Sequence, residues 1–292
     1  MFEKVNPSHP DKIADRIGGA LADMAYAQKR NPKVAGEVLI GHKNCHIIIE
    51  TDINYDYDKV CDVVKRIAET DDIKVDLQVV PQDIHLVENQ KEDIKCGDNG
   101  IFKGVPTTKE EINLTEIVRD LYEEFKSDGK FMIKANNIYI CQSKMAKLKT
   151  VKSVYTNEQK DIPMTEYLRG HYDMPYIARC NPLGEWTGGT DVDSGATNRK
   201  LGSDMGTSIT GGGLHFKDMS KADVSVNIYC FLQAQRLKQE VRAMCSIGDT
   251  DVYVEIGETN YMIPFKEVVA IAKNYIDGLG GFEKFAEWGL IR

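Results

Sequence analysis

Hydrophobic residues recur every three or four positions near the start of the chain, directly behind Pro10. Because proline suits the first helical turn, this pattern predicts an amphipathic helix over residues 11–29. Further apolar runs and periodic segments then predict a β-hairpin, a second helix and a third strand. Their ranges are 34–40 with 45–50, 57–69 and 75–80.

The same order of elements recurs twice more along the chain, although the residues themselves do not repeat. The second round is predicted as a helix at 109–126, strands at 131–141 and 147–155, a helix at 164–170 and a strand at 174–179. The third is predicted as a helix at 218–240, two strands within 242–257 and a helix at 264–277. Such rounds favour sheets covered by helices, an α/β (α+β) fold.

Two long stretches without periodicity, residues 81–108 and 181–216, separate these rounds. Loops of this length are uncommon in compact domains unless they are functional. The chemistry of the protein is therefore expected in these two stretches.

Composition narrows the possible functions of the 292 residues. With 37 Lys and Arg against 45 Asp and Glu, the formal charge is −8, which argues against a nucleic-acid partner. Seven cysteines without a C-x-x-C pair predict neither a zinc ribbon nor a disulfide framework. The sequence shows neither a secretory signal nor a membrane-spanning stretch, so we expect a cytoplasmic protein without a membrane partner.

The glycine-rich second stretch and the helix start behind it gather cations in an acidic protein. Glycine lets a ligand approach the backbone, and backbone N–H groups with cations favour a polyphosphate. No P-loop motif is present. The alternative is an exposed loop followed by a helix that Ser220 and Asp223 cap as an S-x-x-D box. The cations are Arg199, Lys200, Lys217 and Lys221.

Two shorter motifs are ambiguous in isolation. In the HPDK motif, His9 precedes a helix on which Asp11 and Asp15 share one face. Taken alone, helix capping beside an exposed histidine is the better explanation of this motif, and turn chemistry is the better explanation of the D-N-G run at 98–100. Trp186 lies within the glycine-rich stretch, where its indole is suited to stack on a flat ring. The remaining histidines show no ligand spacing and are predicted to be turn, strand or surface residues.

Taken together and in this order, the motifs resemble those of the S-adenosylmethionine synthetase (methionine adenosyltransferase) family, of which the chain looks like a compact, shortened member. The match spans residues 5–227. The matching segments are VNPSHPDKIADRI, AGEVLIG, CGDNGIFKG, NPLGEW, GGTDVDSGATNRK and GGGLHFKDMSKADVS.

The resemblance implies an enzyme that makes S-adenosylmethionine from ATP and L-methionine. In this family the thioether sulfur attacks the ribose 5′-carbon, and the triphosphate leaves and is hydrolysed to pyrophosphate and phosphate. Two alternatives stay open. One is a magnesium-dependent tripolyphosphate hydrolase, and the other is a non-catalytic ATP-binding regulatory homologue.

By position, the resemblance implies two Mg²⁺ ions on Asp11 and Asp223 and a K⁺ ion at Glu37. It also implies residues that contact the phosphates or the ribose oxygen. They are His9, Lys134, Arg199, Lys200, Lys217 and Lys221. The implied substrate contacts are Trp186 on adenine, Asp193 on ribose, Asp98 on the adenosine and methionine side, Gln82 in the gating loop, and Asn44 at the methionine amino group.

The family fold implies three similar sheet-and-helix domains related by pseudo-threefold symmetry. The expected domains are residues 1–12 with 109–185, 13–82 with 186–223, and 83–108 with 224–292. A homodimer with active sites at the interface is expected, with a homotetramer as the alternative. The chain departs from the family in an abbreviated gating segment at 80–95, and in Asn44 and Met132, where the family has acidic residues.

Overall fold

The computed structural model describes residues 2–125, 130–134, 137–141, 151–152, 159–160, 179–180, 189–210 and 212–292, with the backbone alone at 124–125 and for the strands between 130 and 180. The helices of these residues are α1 (Pro10–Gln28), α2 (Tyr57–Ala68), α3 (Ile84–Asn89), α4 (Lys109–Phe125), α5 (Leu201–Met205), α6 (Ala222–Leu237), α7 (Phe265–Leu279) and α8 (Phe282–Trp288). The strands are β1 (Phe2–Val5), β2 (Val34–Gly41), β3 (Asn44–Thr51), β4 (Lys74–Val80), β5 (Gly100–Gly104), β6 (Lys130–Lys134), β7 (Asn137–Cys141), β8 (Val151–Lys152), β9 (Gln159–Lys160), β10 (Arg179–Cys180), β11 (Gly195–Ala196), β12 (Val241–Cys245), β13 (Asp251–Ile256) and β14 (Thr259–Pro264).

These strands form three four-stranded sheets and a short ribbon of β8 and β9. The first sheet has the order β1-β6-β7-β10, the second β11-β2-β3-β4 and the third β14-β13-β12-β5. Strands that are distant in sequence pair in each sheet, as β12 does with β5. The three sheets with their helices confirm the predicted mixed α/β class. The domain boundaries given above stay a prediction.

Most elements predicted from periodicity are confirmed with small changes at their ends. They include α1, the β2–β3 hairpin, α2, β4, α4, α6 and α7. The predicted strand at 131–141 is in fact two antiparallel strands, β6 and β7. The region at 81–108 is not one loop, because it holds α3 and β5, and β14 and α8 were not predicted. The predicted helix at 164–170, most of the strand at 174–179 and most of the strand at 147–155 lie outside the described residues.

The second sheet is covered on one face by α1 and α2, which bury a common hydrophobic core. Phe216 is fully buried in this core and inserts between α1 and β2. Its ring explains two glycines: a Cβ on Gly18 would come within 2.6 Å of Phe216, and one on Gly36 would also collide with the ring. Phe216 itself has a positive φ of 58°. This packing fixes the backbone immediately before Lys217.

The third sheet packs against α6, the most deeply buried helix of the described residues. From Ala222 to Phe231 every side chain of this helix is buried. Its first turn is therefore buried as well, and the N–H groups of that turn carry a partial positive charge. Among the helices of the described residues, none combines the length with the apolar character needed to cross a lipid bilayer.

A buried lysine joins the two ends of the described chain. Lys4 on β1 donates hydrogen bonds to the carbonyl oxygens of Ser203 (3.0 Å), Trp288 (2.7 Å) and Ile291 (2.5 Å). Its side chain is fully buried, and burial lowers the pKa of Lys4 to about 7, although Asp204 opposes this shift. Three acceptors match the three donors of an ammonium group, so β1, α5 and the segment after α8 are tied at one point.

Candidate active site

The HPDK motif forms the first turn of α1, and its histidine caps that turn. His9 Nδ1 accepts a hydrogen bond from the Asp11 backbone N–H at 3.1 Å, and His9 is in the extended backbone conformation expected before proline. His9 is buried, not exposed as the capping interpretation expected. Capping and a role in a site are therefore compatible, because the cap holds the imidazole beside the Asp11 carboxylate at 3.7 Å.

Asp11 is buried and gathers the predicted cations of the glycine-rich stretch. Lys200 Nζ donates to Asp11 Oδ2 at 2.5 Å, and Arg199 Nε lies 3.6 Å from Asp11 Oδ1. The Ala196 backbone N–H donates to Oδ1 at 2.9 Å. His9, Asp11, Arg199 and Lys200 form what we call the Asp11 group. The Arg199 side chain is 56 % exposed, which leaves its guanidinium available to a ligand.

Asp15, one turn further along α1, also accepts a hydrogen bond from the backbone of the segment that carries Arg199 and Lys200. Its Oδ1 accepts from the Asn198 backbone N–H at 2.7 Å, and Asn198 has a left-handed φ of 63°, which asparagine tolerates. The short strand β11 lies so close to α1 that a Cβ at Gly195 would collide with the Pro10 carbonyl. The spacing of Asp11 and Asp15 thus holds the segment bearing Arg199 and Lys200 against the helix.

A fully buried ionic cluster follows Asp11 on α1, and we call it the buried network. Its members are Lys12, Asp15, Asp204 and His215. Lys12 Nζ donates to Asp15 Oδ2 at 3.0 Å and to both Asp204 oxygens at 2.8 and 2.9 Å. His215 Nε2 lies 2.9 Å from Asp204 Oδ2. Burial disfavours ionisation of Asp204, but the Lys12 ammonium and the His215 hydrogen bond hold its pKa well below the ordinary value. In the same way, Asp15 and Asp204 raise the pKa of Lys12 against the effect of burial.

Three members of the buried network, Asp15, Asp204 and His215, have ligand atoms within 4.8 Å of one another, a spacing that would suit a metal ion. Their oxygens, however, already bind the Lys12 ammonium, which also lies 3.4 Å from His215 Nε2. The Lys12 ammonium therefore occupies the place that a metal ion would take. The network supports the structure around the site and does not bind a ligand. Two members of the network lie next to predicted site residues in the sequence: Lys12 follows Asp11, and His215 precedes Lys217 by two positions.

The second constellation is formed by Asp98, Lys217, Lys221 and Asp223, the Asp223 group. Lys217 Nζ donates to Asp223 Oδ2 at 2.8 Å, and Lys221 Nζ lies 3.4 Å from the Gly97 carbonyl oxygen. Asp98 lies close enough to Asp223 for the negative charge of Asp223 to act on the Asp98 carboxyl. Gly212 has a φ of 62° and leaves room for the carboxylate, because a Cβ there would collide with Asp223 Oδ1.

The loop that carries the two lysines is fastened at both sides. The Phe216 carbonyl accepts from the Gly36 N–H at 2.9 Å, and Asp218 Oδ2 accepts from the Val34 N–H at 2.8 Å. The predicted S-x-x-D capping box is wrong, because Lys221 is the N-cap of α6 and Ser220 provides no cap. Instead Ser220 accepts through its carbonyl from the Gly97 N–H at 2.8 Å, which brings the C-G-D-N-G loop to the helix start.

The electrostatics of the Asp223 group favour an additional cation. Burial and the nearby negative charge of Asp223 raise the pKa of Asp98, although Lys221 and Lys217 oppose the shift. Two carboxylates and two ammonium groups share the positive end of a buried helix. Such an arrangement suits a ligand that brings both a metal ion and phosphate oxygens.

Four other predicted residues, Asn44, Asp193, Glu37 and Gln82, are members of neither group. Asn44 is exposed at the hairpin turn, where its Nδ2 donates to the His42 carbonyl at 2.8 Å. Asp193 lies at the same end of the second sheet, since a Cβ on Gly41 would come within 3.3 Å of the Asp193 carbonyl. Glu37 is exposed on β2 and accepts from the Thr197 hydroxyl.

Gln82 is buried, and its Oε1 atom has no donor among the described residues. Of the remaining predictions, Trp186 lies outside the described residues. Lys134 lies on β6, but its side chain is outside the description. Neither residue is therefore located relative to the groups above.

The residues that sequence reasoning missed belong to the buried network. Lys12 and Asp15 were within a recognised motif, but Asp204 and His215 join them across about 190 and 200 positions. His215 is predicted to be a turn, strand or surface residue; it lies in a bend, but the surface alternative is wrong because the residue is almost fully buried. A lysine between two aspartates in the first turns of one helix, Lys12 between Asp11 and Asp15, is a local signal of an internal ion pair.

The chain is similar to known S-adenosylmethionine synthases over most of its length. No protein-family model matches the chain. A curated S-adenosylmethionine synthase of Mesoplasma florum is 28 % identical, covering 93 % of this chain and 85 % of that protein. One of Mycoplasma capricolum subsp. capricolum is also 28 % identical, covering 84 % of this chain and 76 % of that protein. These relatives confirm the resemblance drawn from the motifs and the predicted enzyme class.

A solved structure supports the same relationship at the level of the fold. It is described as an unusual S-adenosylmethionine synthetase from Campylobacter jejuni and superposes with a TM-score of 0.68. The alignment covers 99 % of this chain and 93 % of that chain at 18 % sequence identity. The chain therefore has an S-adenosylmethionine synthetase-like fold.

Proposed function

We propose that this chain, a homologue of the S-adenosylmethionine synthases, makes S-adenosylmethionine from ATP and L-methionine. The observation that carries the proposal is the pairing of two cation–carboxylate groups, around Asp11 and around Asp223. Both are fastened to one buried network. Together they offer four cations to a triphosphate.

The proposed reaction is the attack of the methionine thioether sulfur on the ribose 5′-carbon, with the triphosphate as leaving group. A thioether needs no base to become a nucleophile. The difficult part is the charge of the leaving group, which preorganised cations stabilise most in a site shielded from water. Arg199, Lys200, Lys217 and Lys221 supply these cations, and His9 and Lys134 are proposed to contact the phosphates or the ribose oxygen. Hydrolysis of the triphosphate to pyrophosphate and phosphate would follow at the same residues.

The donor set fits magnesium. Asp11 and Asp223 offer carboxylate oxygens beside the proposed phosphate contacts, and Mg²⁺ prefers one or two carboxylates together with substrate phosphates. The space that Gly212 leaves beside Asp223 Oδ1 and the raised pKa of Asp98 both fit an added positive charge. Two Mg²⁺ ions held there would neutralise triphosphate charge. Glu37, an exposed carboxylate fixed by Thr197, is the proposed K⁺ ligand.

Substrate recognition is proposed to use Asp98 together with residues that belong to neither group. Gln82 Oε1, buried and without a donor among the described residues, suits the methionine amino group. Asp98 lies within the Asp223 group and is proposed to meet both adenosine and methionine. Trp186 is proposed to stack on adenine, Asp193 to bind the ribose, and Asn44 to lie at the amino group.

The third sheet supports a homodimer. Ile101, Met244, Tyr253 and Met262 are cross-strand neighbours in one row, and three of them are 49–71 % exposed. A row of exposed apolar side chains across a sheet is typical of a protein interface. The proposed dimer buries this row, with active sites at the interface. Light scattering should give twice the chain mass, and Met244→Glu should lower it toward the monomer; a monomeric wild type would contradict the assembly.

A magnesium-dependent tripolyphosphate hydrolase is the second candidate, and one observation favours it. Asn44 Nδ2 is engaged with its own hairpin turn and brings no negative charge to a substrate ammonium. The phosphate residues would then act without methionine recognition.

One experiment separates the two candidates. Purified protein is incubated with ATP, Mg²⁺ and K⁺, with and without methionine, and the products are measured by mass spectrometry and phosphate analysis. Methionine-dependent formation of the sulfonium product with pyrophosphate and phosphate supports the synthase. Phosphate release from added tripolyphosphate without a sulfonium product would replace it with the hydrolase.

A further inference from the structure

Two cysteines meet behind the loop that carries Asp98. Cys96 and Cys245 are both buried, and both are free thiols. Their sulfur atoms lie 3.0 Å apart, although the residues are 149 positions apart in the chain. A disulfide has an S–S distance of about 2.0 Å, so a closure of about 1 Å would join them.

The backbone around the two sulfurs is already held in register. The Cys96 N–H donates to the Asp249 carbonyl at 2.9 Å, and the Gly248 N–H donates to the Cys96 carbonyl at 2.8 Å. The Ile247 N–H, one residue before Gly248, donates to Asn99 Oδ1 at 2.9 Å. These bonds prevent the two segments from drifting apart, so bond formation costs little backbone ordering. The turn at 246–249 that covers Cys245 is exposed, which gives a small oxidant a route.

We propose that Cys96 and Cys245 are a reversible modification site that forms an intrachain disulfide and thereby controls the Asp98 loop. The control step rests on the proposed function, whereas the disulfide itself does not. Cys96 Sγ lies 2.9 Å from the Asp98 carbonyl oxygen and donates to it as a thiol. Oxidation removes this donor and pins the loop to β12, so Asp98 and the adjoining Gly97–Lys221 contact shift together.

With a peroxide as oxidant the chemistry balances. The Cys96 thiol loses its proton, the thiolate attacks one peroxide oxygen and the O–O bond breaks, so that a sulfenic acid forms and the released hydroxide takes up that proton as water. The Cys245 sulfur then attacks the sulfenic sulfur, the S–S bond forms, and the second water leaves with the thiol proton. Cys96 reacts first because its hydrogen bond with Cys245 lowers the pKa of Cys96 and raises that of Cys245. A dithiol such as dithiothreitol reverses the reaction.

The disulfide can be detected directly. Reduced protein is treated with hydrogen peroxide in small molar excess, alkylated and digested with trypsin. Cleavage after Lys95, Lys103, Arg242 and Lys266 places the cysteines in peptides 96–103 and 243–266, each with a single cysteine. We expect one cross-linked pair, two hydrogens lighter than the sum of its peptides, which dithiothreitol removes. Sulfinic acid on Cys96 without a cross-link would overturn the site.

Separate measurements test whether the disulfide changes the loop that carries Asp98. In the oxidised protein we expect hydrogen exchange of amides 97–100 to change at least threefold and S-adenosylmethionine formation to fall at least threefold, both restored by dithiothreitol. Cys245→Ser should lose the response, and Cys61→Ser, which keeps the pair, should retain it. A cross-link that alters neither exchange nor turnover contradicts the control. If the reduced protein makes no sulfonium product, the proposed function fails, while the cross-link and exchange data still decide this inference.

Discussion

The buried network and the Asp223 group are both built from lysines and aspartates, but the first supports the structure and the second is suited to bind a ligand. In the buried network, Lys12 is matched by Asp15 and Asp204, and these side chains are at most 1 % exposed. In the Asp223 group, Lys217 and Asp223 are 18 % and 12 % exposed, and the negative charge of Asp223 helps to raise the pKa of Asp98. Carboxylates that are bound by a lysine and shut off from solvent support structure, whereas charged groups that keep contact with solvent favour a ligand.

The strongest test of this comparison removes charge from the open group. Asp223→Asn and Lys221→Ala should each lower methionine-dependent turnover at least 10³-fold, about 4 kcal/mol of transition-state stabilisation. The melting temperature should stay within about 2 °C, because neither change leaves a fully buried charge unpaired. Steady-state kinetics and thermal denaturation measure the two effects. Wild-type rates in either variant would contradict the phosphate assignment.

The converse test removes charge from the buried network. Lys12→Met leaves Asp15 and Asp204 buried without their cation, so it should lower the free energy of unfolding by about 3–5 kcal/mol. Urea denaturation measures the loss, with Lys59→Met on the exposed face of α2 as the control. A change below about 1 kcal/mol would show that the network is not the support described above.

A third test uses pH, because Lys4 is buried and its pKa in the folded protein is about 7, against 10.5 for an ordinary lysine. Between these values the unfolded chain binds more protons, so the free energy of unfolding should rise with pH above 7. The contribution of Lys4 is at most about 1.4 kcal/mol per pH unit. Urea denaturation at pH 7, 8 and 9 should show this slope in the wild type and a smaller one in Lys4→Met. Equal slopes would contradict the lowered pKa.

The smallest expected effect concerns Gln82. Gln82→Leu removes the buried acceptor and should raise the KM for methionine about tenfold, corresponding to about 1.4 kcal/mol, with a smaller change in the KM for ATP. Initial-rate measurements with each substrate varied separately would show the difference. An equal rise in both KM values would point to a structural role instead.

Local periodicity was sufficient for elements whose burial pattern lies within one segment. Helix α1 and the β2–β3 hairpin are predicted well because their apolar faces repeat every three to four residues or every second residue. Strand β5 was missed because it has five residues and pairs with β12, about 140 positions away. No window of the sequence carries that information.

The site residues also fall into those that local motifs predict and those that only the fold brings together. Asp11, Lys217 and Asp223 were found through motifs, and the structure joins them to neighbours that the motifs did not name. His215 and Asp204 became visible once folding had brought them to Lys12, because an isolated histidine or aspartate has no local pattern. Glycine placement is a further signal in the sequence. Gly18 and Gly36 make room for Phe216, which lies between His215 and Lys217, so these glycines indicate that this segment packs against α1 and β2.

The three carbonyl acceptors of Lys4 also set the timing of folding during synthesis. Two of them lie 284 and 287 positions further along the chain. Strand β1 can pair with β6 and reach the Ser203 carbonyl earlier, but Lys4 lacks two of its three acceptors until residues 288 and 291 have been synthesised. A nascent chain stalled before residue 288 would therefore leave the Lys4 ammonium incompletely bonded and in contact with water.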